Sequence, residues 1–158
     1  MIILADMLYN YGMNIFIGAD HRGFDLKNQL IEHLQSQNIR IEDMGAYEYD
    51  AQDDFPQFSQ KVAKAVLQSP ETNLGIVICG SAVGVSIAAN RFEGAYCGLG
   101  FSLDQVKSAR QHDHINILAI PADYISPNEA KEMVDAFLST STIHEEKYIR
   151  RLKQIETK

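Results

Sequence analysis

The chain has 158 residues and a formal net charge of −7, with 46% hydrophobic and 22% charged residues. These values fit one soluble globular domain, because they are too apolar for a disordered chain and charges interrupt every span long enough to cross a bilayer. The acidic excess disfavours nucleic acid as a partner, since a phosphate backbone would be repelled, whereas a small anionic substrate needs only a few cations gathered in one place.

The chain begins with an apolar stretch that Asp6 interrupts and that no basic residue precedes, so a secretory signal is not predicted. The two cysteines, Cys79 and Cys97, are too few for a disulfide framework, and a reducing cytoplasm is expected. Met13 immediately precedes the first predicted strand. Residues 1–12 are therefore predicted to be an N-terminal appendage or a misplaced start, and residues 13–158 to be the functional domain.

From Asn14 onward, short runs rich in β-branched residues alternate with stretches of helical period, which is the pattern of βαβ units in a parallel sheet. The predicted strands are 15–19, 39–43, 74–79, 95–100 and 115–120, and the tail from Thr142 to Thr157 is predicted to be a helix. The sequence thus predicts a single doubly wound, three-layer α/β/α domain of Rossmann or flavodoxin-like type, with a five-stranded parallel sheet and a C-terminal helix. Ligands of such sheets bind beyond the carboxyl ends of the strands.

The loop after the first strand carries Asp20, His21 and Arg22 between two glycines, Gly18 and Gly23. Because glycines let the backbone turn sharply, these polar side chains are expected at the carboxyl edge of the sheet, just before a helix. The alternative is that Asp20 serves only as the N-cap of that helix and that His21 is a surface residue.

The third strand runs into the loop Gly80-Ser81-Ala82-Val83-Gly84, which leads into a helical segment. Small residues let consecutive backbone N–H groups converge on one point, and the helix dipole adds positive potential there. We therefore predict that this loop, called the cradle below, binds an oxyanion or a phosphate. Its glycine spacing differs from that of the dinucleotide-binding fingerprint.

Cys79 lies at the mouth of the cradle. A lone cysteine at the end of an apolar strand is ordinarily a small buried hydrophobic residue. Its position before a helix N-terminus favours the thiolate form, which a general base or a nucleophile needs. Cys97 has no such setting and is predicted to belong to the core.

A polar segment before the fifth strand contains His112, Asp113 and His114. Two histidines around an aspartate could bind a metal, but they alternate across an extended segment and no Cys or Glu cluster completes a ligand shell. The competing interpretation, which we favour, makes His112 an acid or base at the edge of the sheet. His114 is then either packed or solvated.

The last helix carries a cationic patch in which Lys147, Arg150 and Arg151 fall at positions i, i+3 and i+4. Such a run usually marks a solvated helix face. In an acidic protein with an anion cradle, it is also a candidate clamp for a phosphate group.

Five segments together resemble the ribose-5-phosphate isomerase B family and the related galactose-6-phosphate isomerase subunits. They are Gly-Ala-Asp-His-Arg-Gly at 18–23, Asp-Asp-Phe-Pro at 53–56, Ile-Cys-Gly-Ser-Ala-Val-Gly at 78–84, Ala-Ala-Asn-Arg at 88–91 and Ser-Ala-Arg-Gln-His at 108–112. Each is weak alone, but their order and spacing are specific. The resemblance implies a sugar-phosphate isomerase without metal or cofactor, forming a homodimer or a dimer of dimers with sites completed across the interface.

The resemblance also implies roles by motif position. Cys79 would move a proton between C1 and C2 of the open-chain sugar, and Asp20 and His112 would assist ring opening. Ser81 and the amides of the cradle would stabilise a cis-enediolate, and His21, Lys147 and Arg151 would hold the phosphate. The substrate-binding residues implied are His21, Gly80, Ala82, Val83, Gly84, Asp113, Lys147 and Arg151.

The chain departs from the family's usual residues at five positions. Ala82 stands in place of a glycine, Phe55 of a tyrosine, Asp113 of an asparagine, and Asp123 and Lys147 of arginines. An aspartate would oppose an anion, and a lysine offers only a point charge. These departures weaken the case for ribose 5-phosphate itself, but they leave the proton-transfer residues in place, so interconversion of ribose 5-phosphate and ribulose 5-phosphate stays the leading hypothesis. The alternatives are another sugar phosphate, such as a hexose 6-phosphate, or a non-catalytic sugar-phosphate-binding paralogue.

Overall fold

A computed structural model describes residues 12–157, so the predicted appendage, apart from Gly12, lies outside the described residues. The strands are β1 (Asn14–Ala19), β2 (Ile41–Asp43), β3 (Asn73–Cys79), β4 (Cys97–Leu99) and β5 (Ile117–Pro121). The helices are α1 (Phe24–Ser36), α2 (Phe55–Val66), α3 (Val83–Ala89), α4 (Leu103–His112), α5 (Pro127–Ser139) and α6 (Glu146–Glu156). Within the described range, no helix is long and apolar enough to cross a membrane.

The strands form one parallel sheet in the order β2-β1-β3-β5-β4. The chain moves from β1 outward to β2 and then returns to place β3 on the other side of β1. The strand order therefore reverses between β1 and β3, which is where α/β sheets of this kind open a crevice for ligands. The predicted doubly wound, flavodoxin-like fold is confirmed.

The core has two halves, one on each face of the sheet. Strand β3 is buried at all seven positions, and its successive side chains alternate between the two faces. Ile76 and Ile78 pack with α1, α4 and α5, whereas Val77 and Cys79 pack with α2 and α3. This arrangement gives the three predicted layers and directs the Cys79 side chain toward the face on which the cradle's helix lies.

Several predicted elements are shorter than the sequence pattern indicated, and the strand predicted at 39–43 is reduced to β2 (Ile41–Asp43). The strand predicted at 95–100 is reduced to β4, because the backbone of Tyr96 bonds to residues just before β5 and does not extend the strand. The Tyr96 N–H donates to the side chain of Asn116, and the Tyr96 carbonyl accepts the N–H groups of Asn116 and Ile117. The helix predicted from Thr142 begins only at Glu146. The preceding loop is tied to the end of α4 by a hydrogen bond from the Ile143 N–H to the Gln111 carbonyl.

Candidate active site

The loops after β1 and β3 leave the sheet side by side. Ala19 pairs with Ile78 in the β1–β3 register, and the Asp20 N–H donates to the Ile78 carbonyl at 3.3 Å. Asp20 and Cys79 are the next residues along the two strands, so both stand at the mouth of the same crevice. The expectation that Asp20 lies at the carboxyl edge of the sheet is therefore confirmed.

Asp20 is a buried carboxylate that organises the turn after β1. Only 5% of the residue is exposed, and its Oδ1 accepts the N–H groups of Arg22 at 3.0 Å and Gly23 at 3.1 Å. Burial raises the pKa of the Asp20 carboxyl, and these two backbone donors act against that rise. The N-cap of α1 is Gly23 rather than Asp20. The predicted N-cap alternative is thus wrong, and one carboxylate oxygen remains beyond those two bonds for other contacts.

His21 is held by a residue to which the sequence assigned no role. Its ring Nδ1 lies 2.7 Å from Asp53 Oδ1, and its backbone N–H donates to the same oxygen at 3.0 Å. Asp53 lies just before α2, which follows the neighbouring edge strand. No periodic pattern marks such a pair across 32 residues, so its only sequence signal is the position of Asp53 beside a recognised motif.

Asp123 is paired with Arg22 at the rim of the cradle. Its Oδ2 accepts Arg22 Nε at 2.9 Å and also the Nη2 group, while its backbone N–H donates to the Gly80 carbonyl at 3.0 Å. A Cβ on Gly80 would lie 2.5 Å from both Arg22 Nε and Asp123 Oδ2, so only glycine lets the pair close over the loop. The expectation that Asp123 acts as an uncompensated negative charge is corrected, because the Arg22 guanidinium balances it.

The cradle turns through a residue in the left-handed region. Ala82 has φ 61°, and α3 begins at the next residue. The carbonyls of Cys79 and Gly80 accept N–H groups from Ala122 and Asp123, which fixes the loop against the end of β5. Among residues 12–157, no protein acceptor takes the N–H groups of Ser81 or Ala82. These two donors are therefore available to an anion, as predicted for an oxyanion-binding loop.

Phe55 covers the far end of the cradle. A Cβ on Gly84 would lie 2.7 Å from the Cζ atom of the Phe55 ring, so the ring sits directly on the first turn of α3. Phe55 is 37% exposed, and it carries no hydroxyl to bind a ligand. Its contribution to this edge is an apolar wall.

The Ala82 conformation leads to a stability prediction with a matched control. We expect Ala82→Gly to change the free energy of unfolding by less than about 1 kcal/mol, because relief of left-handed strain, roughly 1 kcal/mol, offsets the loss of a buried methyl group. Ala89 is equally buried, at 0% exposure, but lies within α3. Ala89→Gly should therefore cost about 1 to 2 kcal/mol. Urea unfolding measures both, and equal losses would contradict the strain assignment.

His112 lies at the opposite edge of the sheet from the cradle of its own chain. Helix α4 starts after β4 and runs back to end at His112, just before β5 begins at Ile117. Ile117 pairs with Gly75, at the start of the segment that leads up to Cys79. Four residues of strand span roughly 13 Å. The fold therefore places His112 beside the amino ends of the strands and Cys79 beyond their carboxyl ends.

Helix α6 lies at this same amino-terminal edge. The His112 ring stacks on Tyr148 with 4.6 Å between ring centroids, and Lys147 Nζ lies 4.7 Å from the Tyr148 ring centroid. At the other end of α6, the Tyr96 hydroxyl donates to Glu156, and burial together with this carboxylate raises the pKa of Tyr96 to about 12.

The predicted site residues thus fall into two groups. The carboxyl-edge group, next to the switch point, contains Asp20, His21, Cys79, Gly80, Ser81, Ala82, Val83 and Gly84. The amino-edge group, on α4, at its C-cap and on α6, contains His112, Asp113, Lys147 and Arg151. One chain does not bring the two groups together.

The metal interpretation of the histidine segment finds no ligand set in the structure. Within residues 12–157, no group of three or more His, Cys, Asp or Glu side chains is arranged to hold a metal ion. His114 Nε2 is bonded to the Ile143 carbonyl at 2.9 Å, and His112 is stacked on Tyr148. The two rings therefore serve different contacts.

Cys97 packs against the half of the core that contains α2 and α3, as predicted, although the residue is only half-buried. Burial of its thiol raises the pKa of Cys97 to about 12, with a hydrogen bond to Ser86 acting in the opposite direction. A thiol in this environment stays protonated and contributes packing. The second cysteine is therefore a natural control for the first.

A flavodoxin-like sheet with an amide cradle, a buried aspartate and a buried cysteine at its switch point is an arrangement expected of an α/β enzyme that acts on a small anionic substrate. Comparison with known proteins narrows this class. A family model described as Ribose/Galactose Isomerase matches residues 15–155.

Relatives and solved structures agree with that match. Ribose-5-phosphate isomerase B of Mycobacterium leprae is 38% identical over 141 residues, which cover 89% of this chain and 86% of that protein. The crystal structure of ribose-5-phosphate isomerase B from Mycoplasma genitalium with bound ribulose-5-phosphate superposes with a TM-score of 0.87 at 37% identity, covering 91% of this chain and 94% of the other. The corresponding Thermotoga maritima structure gives a TM-score of 0.85 at 35% identity, covering 91% and 97%.

The chain therefore belongs to the ribose/galactose isomerase family. By class it is a sugar-phosphate isomerase, an intramolecular oxidoreductase, as the resemblance of its motifs implied.

Proposed function

We propose that the protein interconverts ribose 5-phosphate and ribulose 5-phosphate, a reaction of the pentose phosphate pathway, with Cys79 as the general base. The observation that carries the proposal is the placement of Cys79 beside Asp20 and beside the two unpartnered N–H groups of the cradle. Aldose–ketose isomerisation needs this combination, because a base must remove a proton next to a carbonyl while donors stabilise the oxyanion that forms.

The proton transfer would proceed in two steps. The Cys79 thiolate removes the proton from C2 of the open-chain aldose, the electron pair of that C–H bond forms the C1–C2 double bond, and the C1 oxygen becomes an oxyanion. The N–H groups of Ser81 and Ala82 stabilise this cis-enediolate. The thiol then returns the proton to C1 while the C2 hydroxyl loses its proton to the C1 oxygen, which gives the ketose.

Asp20 would serve the cyclic form of the sugar. Its buried carboxyl, with a raised pKa, can exchange a proton with a ring or anomeric oxygen. Ser81 is exposed at the cradle, where its hydroxyl can reach a sugar oxygen. Gly80, Val83 and Gly84 would shape the floor on which the substrate lies.

A second copy of the chain would complete the phosphate-binding site and would supply the acid for ring opening. We infer a homodimer, alone or as half of a dimer of dimers, in which the partner presents His112, Asp113, Lys147 and Arg151 to the cradle. Two features support this inference. The amino-edge group cannot reach the cradle of its own chain, and helix α6 buries none of its residues against the domain that carries it.

Apolar side chains are available for such an interface. Ile149 and Leu152 are only half-buried on α6, and Ile155 is 67% exposed. On the cradle's own helix, Val83 and Ile87 are 51% and 61% exposed. A surface of this kind favours association with another apolar face.

The substrate assignment is tested with a panel of sugar phosphates. Purified protein should convert ribose 5-phosphate with a kcat/KM at least about tenfold above that for any hexose 6-phosphate. A reversed order would make the protein a hexose-phosphate isomerase. Saturable binding of ribose 5-phosphate without any ketose formation would instead make it a sugar-phosphate-binding paralogue.

Removal of metal ions gives a further expected result. Because backbone amides supply the oxyanion donors, exhaustive dialysis against a chelator should leave the isomerisation rate unchanged. A rate that falls with the chelator and returns with Zn²⁺ or Mn²⁺ would contradict the mechanism and restore the His112–Asp113–His114 metal interpretation.

A further inference from the structure

Asp53 is a buried carboxylate whose only side-chain partner in the described structure is His21. Its side chain is 5% exposed, and its Oδ1 accepts both the Nδ1 and the backbone N–H of His21. Its other oxygen, Oδ2, is buried and has no hydrogen-bond partner among residues 12–157. Nothing in the mechanism above uses this residue.

Burying a carboxylate in this way lowers the stability of the fold unless a neighbouring group compensates its charge. A buried carboxylate oxygen without a partner destabilises the folded state by the loss of its hydration, so the charge needs a nearby cation. The carboxylate of Asp20 also faces this cluster and adds negative charge. The adjacent guanidinium of Arg22 is already bonded to Asp123. The His21 ring is therefore the group on which Asp53 acts.

The contact fixes the orientation of the ring. With Nδ1 bonded to Asp53, the other ring nitrogen, Nε2, is directed away from that carboxylate. The His21 side chain is 28% exposed, so part of the ring remains accessible to solvent. A carboxylate on one imidazole nitrogen fixes the orientation of the ring and which nitrogen carries the proton, and it leaves the other nitrogen for a ligand.

We propose that Asp53 is a positioning residue of the active site, which keeps Nδ1 of His21 protonated and presents Nε2 to the phosphate group of the sugar phosphate. This proposal rests on the proposed function for its ligand, and on the Asp53–His21 geometry for its mechanism. Asp53 itself does not touch the substrate.

Three variants separate positioning from simple structural support. Asp53→Ala removes both the acceptor and the charge, whereas Asp53→Asn keeps the acceptor for the ring N–H. Asp50→Asn is the matched control, because Asp50 is exposed on the same loop and an asparagine can still accept the Gln52 N–H that Asp50 Oδ1 accepts at 2.9 Å. Each variant is assayed for KM and kcat with ribose 5-phosphate, and the protonated nitrogen of His21 is identified by ¹⁵N NMR, with His21→Gln providing the assignment.

We expect Asp53→Ala to raise KM at least about tenfold while kcat changes less than threefold, since the phosphate is remote from the reacting carbons. The protonation preference of Nδ1 should be lost in Asp53→Ala and kept in Asp53→Asn, whose KM should be intermediate. Asp50→Asn should match the wild type. In a His21→Gln background, Asp53→Ala should have little further effect on KM.

A lower melting temperature with unchanged KM and unchanged Nδ1 protonation would overturn the proposal and leave Asp53 a purely structural residue. A wild-type protein that does not turn over ribose 5-phosphate would instead refute the proposed function. In that case the NMR comparison of wild type with Asp53→Ala still decides whether Asp53 positions the ring.

Discussion

Replacing Cys79 with alanine is expected to lower the isomerisation rate at least about a thousandfold while the protein stays folded and binds ribulose 5-phosphate. The expected loss corresponds to about 4 kcal/mol of barrier, within the range of a general base that no neighbour replaces. Asp20 is a carboxylate at the same crevice, but its Oδ1 is bonded to two backbone N–H groups. It is therefore poorly placed to abstract a carbon-bound proton.

Cys97→Ala is the matched control. It removes the other cysteine thiol, which is buried and kept protonated, so the variant should retain nearly the wild-type kcat. Folding of both variants is checked by urea unfolding, and binding by competition with ribulose 5-phosphate. Retention of more than roughly a tenth of the wild-type turnover in Cys79→Ala, under about 1.4 kcal/mol of barrier, would show that the base assignment is wrong.

The second large effect is recovery of activity when two inactive variants are mixed, which is expected if the carboxyl-edge group of one chain and the amino-edge group of its partner form one site. Cys79→Ala and His112→Ala should each be nearly inactive as homodimers, because every site in either protein lacks one essential group. When the two proteins are dissociated, mixed and reassembled, about half of the dimers become heterodimers. Each heterodimer has one site with both residues intact. The mixture should therefore regain about a quarter of the wild-type activity.

The control for this experiment mixes two variants from the same edge of the sheet. Cys79→Ala with Ser81→Ala leaves a defect in every site of the heterodimer, so no recovery is expected. Failure of the Cys79→Ala and His112→Ala mixture to recover, with heterodimers demonstrated by mass spectrometry, would mean that each chain builds its whole site alone.

The sequence predicted the layers of the fold because hydrophobic patterns are local. The continuous apolar run of β3 and the helical stripes on α1, α2 and α5 follow from spacing alone, and they place Asp20 and Cys79 at one edge. The parallel strand order also fixes the position of His112, since a helix that connects parallel strands must run back to their amino ends. The separation of His112 from the cradle therefore follows from the strand topology alone and does not depend on the side-chain contacts of His112.

The polar pairs could not be predicted in this way. Arg22 and Asp123 are 101 residues apart, and His21 and Asp53 are 32 apart. Nothing in the local pattern of either residue marks its partner, because these contacts depend on how two loops meet after the sheet has formed. The sequence therefore presented Asp123 as a charge that opposes an anion, whereas the structure shows that Arg22 balances it.

As the proposed isomerase, the protein moves a proton between C1 and C2 of ribose 5-phosphate. Incubation of the purified protein with ribose 5-phosphate in D₂O, followed by NMR of the sugar, detects this transfer directly. Ribulose 5-phosphate should accumulate and carry deuterium at C1, and both signals should disappear in Cys79→Ala. Binding of ribose 5-phosphate without ketose formation or deuterium incorporation would contradict the isomerase function.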